Sequence, residues 1–124
     1  MGNYLPRILL ALSALILMVG GLMHAAAFKK MLSAVDASNL PTFYANSLKG
    51  LWLIDAATLL TLSVIFAVIG AQPSFASKWV VILLAIVPGA TAFFLYRFIG
   101  NFAPAHLLIA SAVAAVAAGL QLPR

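Results

Sequence analysis

Apolar residues in this chain run in long unbroken stretches rather than alternating. Four stretches, at 8–28, 51–71, 79–99 and 103–122, reach the roughly 20 residues a helix needs to cross the hydrocarbon core of a bilayer. Polar positions collect between them, and only the connection at 29–50 is long. Pro6 suits the first turn of a helix, and Ser13, Gly20, His24 and Ala27 recur along the first stretch at helical spacing. Such a stripe of small and polar residues faces neighbouring helices in lipid, because small side chains let backbones approach and polar ones need partners.

The long connection is itself patterned. Met31, Leu32 and Val35 fall on one side of a short helix, 36–39 supplies break chemistry, and Pro41 restarts a helix leading into the second span. Gln72-Pro73-Ser74 makes a turn and Ser77 is placed to cap the third span. Pro88-Gly89 should kink that span. Gly100-Asn101 ends it, Pro104 opens the fourth, and Ala110, Ala114 and Ala118 form a small-xxx-small ridge. The pattern predicts an all-α integral membrane protein. Its 124 residues form a single four-helix up-and-down bundle, with a partly helical lid between helices 1 and 2 and both termini on one face.

Composition removes the soluble alternatives: 65% of residues are hydrophobic, 7% are charged, and the mean hydropathy is +1.16. Arg7 followed by an apolar run and Ala25-Ala26-Ala27 imitates a secretory signal. The run exceeds a usual signal core, so the first span is expected to stay in the bundle. The net charge of +5 sets seven basic residues, Arg7, Lys29, Lys30, Lys49, Lys78 and Arg124 at span ends and Arg97 inside a span, against Asp36 and Asp55. That placement points to membrane lipids as partners, not nucleic acid. The small residues of span four also fit a homo-oligomer or a larger membrane complex. With no cysteine, thiol and disulfide chemistry is excluded. Basic residues on the two faces nearly balance, so orientation is undetermined. The expected location is a bacterial plasma (inner) membrane.

The candidate chemistry lies in His24, Asp55, Arg97 and His106. Alternating helix direction brings all four to depths within one or two turns of the same membrane boundary. Lys49, Trp52, Tyr96 and Asn101 join by depth. Ionisable groups in a span are costly unless paired or hydrated, so they are functional candidates. The leading expectation is a protein whose polar layer binds, and in one version transports, an amphiphile such as a lipid or quinone, or which acts as an accessory subunit. In a second reading His24 and His106 supply the axial nitrogens of haem b, with Arg97 and Lys49 beside the propionates. In a third the layer is structural, an Asp55–Arg97 ion pair tying helices together. A zinc or iron site from His24, His106 and Asp55 has suitable ligand types but no close spacing motif. Without a nucleophile motif, binding is expected over enzymatic activity.

Overall fold

The computed structural model describes residues 3–123, so the interfacial role expected of Arg124 lies outside the described residues. Five helices follow in order: α1 (Leu5–Ala26), α2 (Phe28–Asp36), α3 (Thr42–Ala71), α4 (Lys78–Phe98) and α5 (Ala103–Gln121), with one 3₁₀ turn at Pro73–Phe75. Four segments are long and apolar enough to cross a membrane: α1 with α2, α3, α4 and α5. The protein is an all-helical membrane four-helix bundle, as its hydropathy pattern predicts.

The helix boundaries follow from local chemistry. Pro6 and Pro104 occupy the first turns of α1 and α5, where a missing N–H costs nothing. Ser77 sits at the cap position of α4, but its hydroxyl makes no capping bond. Gly100 adopts φ 91°, a conformation that side-chain-bearing residues resist, and so turns the chain from α4 into α5. Helix α4 continues through Pro88, which is buried. The connection at 29–50 is a helical hairpin. Ala27 keeps helical dihedrals between α1 and α2, and α3 runs 30 residues, about 45 Å and so about 15 Å longer than the hydrocarbon core. An exposed ion pair, Lys49 Nζ to Asp36 at 2.7 Å, clasps the hairpin.

The spanning helices stand in the order α3, α1, α5, α4, each antiparallel to the next. Lipid tails are as apolar as leucine, so close packing and hydrogen bonds hold such helices together. Glycines mark the closest approaches. A Cβ on Gly21 would stand 2.9 Å from Leu60, and one on Gly119 would stand 3.0 Å from Ile82 and 3.2 Å from the Lys78 carbonyl. Serines bolt the centre. The buried Ser13 and Ser111 hydroxyls lie 2.7 Å apart, Ser13 Oγ also reaches the Ser111 carbonyl at 3.0 Å, and Ser63 donates to the Ala14 carbonyl at 2.6 Å.

Two expectations need correction. In α5 the buried small residues include Ala105, Ser111, Ala114, Ala115, Ala118 and Gly119, whereas Ala110 is exposed. The ridge is therefore rotated from Ala110 and is used inside the chain, where α5 meets both α1 and α4. The bundle also closes unevenly: α3 and α4 touch only sparsely. A groove of about 390 Å³ separates them, lined by Ile54, Ala57, Thr58 and Thr61 of α3 and by Leu84 and Val87 of α4.

Candidate functional site

At the end of the bundle carrying the α2–α3 hairpin, the polar residues form two clusters rather than one layer. The first joins α1 to α3. Trp52 stacks on His24 with ring centroids 4.1 Å apart and planes 12° from parallel, and Trp52 Nε1 donates to the His24 carbonyl at 2.8 Å. That bond pins the α1–α2 junction to α3. His24 Nε2 lies 3.3 Å from Asp55 Oδ2. The contact is misaligned, so the buried Nε2 makes no hydrogen bond. The Asp55 side chain is 39% exposed.

The second cluster joins α4 to α5. Tyr96 Oη and His106 Nδ1 are 2.6 Å apart, and His106 Nε2 is 2.7 Å from Asn101 Oδ1. An amide oxygen only accepts, so with Asn101 in this orientation Nε2 carries the proton. In neutral His106 the unprotonated Nδ1 then accepts from the tyrosine. Both ring nitrogens are engaged and the imidazole is exposed.

Several expectations are corrected by this arrangement. Asp55 faces His24, not Arg97. Arg97 is exposed, its guanidinium 5.6 Å from the Phe98 ring centroid. Helix order gives the reason, since α3 and α4 flank the open groove. Lys49 turns away to Asp36. His106 does not face the interior beside His24, and axial haem ligation through it would break the hydrogen bond at the ligating nitrogen, so the geometry does not favour bis-histidine haem. His24, His106 and Asp55 do not converge, and among the described residues no three His, Asp or Glu side chains gather to hold a metal.

What the sequence left unseen is mostly direction around each helix. Depth follows from residue counting and brought Asn101 and Tyr96 to the level of His106. The Trp52–His24 stack needs the facing of α1 and α3, which hydropathy does not give. Serine placement offered half a hint: Ser13 lies on the predicted interior stripe of span one, but by residue count its partner Ser111 sits about 9 Å nearer the hairpin end.

No protein-family model matches this chain, and no curated protein or solved structure shows significant similarity to it. Function must be argued from its own residues.

Proposed function

We propose that this small polytopic membrane protein binds an amphiphile, a lipid or a quinol, at the interfacial end of the α1–α3 pair. One observation carries the reading: Asp55 lies in the spanning helix α3 with its carboxylate partly exposed, and its contact with His24 Nε2 at 3.3 Å is not a hydrogen bond, so, among the described residues, the carboxylate keeps acceptor capacity. An acceptor at that depth is costly unless a donor meets it. A head group bearing a hydroxyl or ammonium supplies that donor, while its tail lies along the apolar helices. Trp52 and His24 hold the carboxylate's surroundings fixed, so the acceptor is presented rather than improvised. The chemistry is the same in any membrane, including the bacterial plasma membrane expected above.

The test is detergent-free extraction into polymer nanodiscs, followed by quantification of co-purifying lipids and quinones. Wild-type protein should enrich one class over the bulk membrane, and Asp55→Leu should reduce that enrichment about tenfold, equivalent to about 1.4 kcal/mol. A co-purified mixture identical to bulk membrane, with and without Asp55, would rule the proposal out.

A purely structural layer is the second reading. It is favoured by the Trp52 bond to the His24 carbonyl and by the fully engaged His106, both of which tie helices together.

A further inference from the structure

A second groove, of about 600 Å³, runs along the α1–α3 seam at the end opposite the hairpin. It exists because both walls are small there, with Ala11 and Ala14 on α1 facing Ala67 and Gly70 on α3. From Arg7 at one end to Met18 at the other it extends about 16 Å along α1. Beyond Arg7 its lining is apolar except for Ser63, whose hydroxyl is already bonded to the Ala14 carbonyl.

Arg7 gives the groove a sign. Its guanidinium is exposed and donates from Nη2 to the Ala71 carbonyl at 3.2 Å, which engages one of five N–H donors and cancels no net charge. Among the described residues no carboxylate pairs with it. It stands in the first turn of α1, which holds no acidic residue. The positive end of a helix dipole disfavours a cation there until an anion joins it. Lys78, in the first turn of α4 at the same end, adds a second positive charge. Both acidic residues of the chain, Asp36 and Asp55, lie toward the hairpin end.

From these observations we infer that the α1–α3 groove is a binding site for one anionic phospholipid, its phosphate on Arg7 and one acyl chain lying along the groove toward Met18. Charge and length select this occupant together. A planar guanidinium can engage two phosphate oxygens at once. The groove's run of about 16 Å matches one leaflet's share of a hydrocarbon core of roughly 30 Å. A phospholipid carries its charge at one end and an uncharged chain behind it, the same order in which Arg7 and the apolar walls follow one another. The site is separate from the Asp55 end, where the open group is an acceptor and calls for a donor.

The test is a titration of the full chain in detergent micelles with phosphatidylglycerol and with phosphatidylcholine of the same acyl chains, with bound lipid counted by native mass spectrometry. One phosphatidylglycerol should be retained about tenfold more tightly than phosphatidylcholine. Arg7→Gln should remove that preference, whereas Lys78→Gln, which deletes a charge from the same end outside the groove, should leave it intact. Ala11→Phe and Ala67→Phe, at exposed positions on the two walls, should each weaken retention of phosphatidylglycerol about tenfold. Inorganic phosphate should not displace the lipid, and Asp55→Leu should not alter the preference. Melting curves identify any variant that fails to fold, and the charge variants decide the question where a filled groove unfolds the bundle. Equal retention of the two lipids, equal losses from Arg7→Gln and Lys78→Gln, displacement by inorganic phosphate, unchanged retention in folded groove-filling variants, or a loss with Asp55→Leu equal to that with Arg7→Gln would each overturn the inference.

Discussion

The two polar clusters lie at the same end of the bundle yet are built on opposite plans. Around His106 every ring nitrogen has a partner, and the cluster is closed by Tyr96 and Asn101. Around His24 the ring is fixed by stacking, its Nε2 lacks a hydrogen bond, and Asp55 keeps acceptor capacity toward the outside. Closed hydrogen-bond sets give a protein shape, whereas an open one has something left to bind. Under the proposed function, the closed α4–α5 cluster is the architectural half and the open α1–α3 cluster is the binding half.

The strongest way to break this comparison is to pry apart the architectural half. Gly119→Leu forces a side chain against Ile82 and the Lys78 backbone and should destabilise the bundle by about 3 kcal/mol. Gly20→Ala, with nothing within 4 Å, should cost nothing. Reversible unfolding in mixed micelles measures both, and equal effects would mean that the α4–α5 seam is not the tight one.

Next in size is the ligand readout. Asp55→Leu should lower co-purified amphiphile about tenfold, while His106→Ala leaves it unchanged. A drop with His106→Ala equal to that with Asp55→Leu would merge the two clusters into one site. Smaller still is the bond between the halves. Ser111→Ala removes the hydroxyl–hydroxyl contact while Ser13 keeps its bond to the Ser111 carbonyl, and should cost about 1 kcal/mol or less. The Ser13→Ala, Ser111→Ala double variant should cost less than the sum of the singles, because both singles remove the same contact. At the bottom is the hairpin clasp: Asp36→Asn breaks an exposed pair and should shift stability by about 0.5 kcal/mol or less. A larger effect would show that the hairpin supports the open cluster below it.

The parts legible in the sequence were those fixed by counting. Span lengths, Pro41 as the restart of a helix, and the shared depth of His24, Asp55, Arg97 and His106 all follow from residues per turn and the thickness of a bilayer. Azimuth and neighbour order were not. The spans are apolar on nearly all sides, so hydropathy does not say which face meets which helix, and Asp55 was assigned to Arg97 across a seam that stays open. Ala110 was placed on the packing ridge for the same reason: an alanine-rich helix offers several small faces, and only the partners choose among them. Lys49 escaped because its partner Asp36 reads locally as a helix-breaking residue, and only the folded hairpin brings the two together.

Helix α3 has a mechanical consequence. It is unbroken from Thr42 to Ala71 and is held closely near its far end, where the place of a Cβ on Gly70 lies 3.3 Å from Leu10. It is fastened again toward the other end by the Trp52 bond to the His24 carbonyl, so a push on its tip acts on a lever of about 15 Å from Thr42 to Trp52 rather than on the whole rod. Force applied to Phe43 and the hairpin would therefore reach the Trp52–His24 stack, one turn from Asp55, before it reaches the turns packed deeper in the bundle.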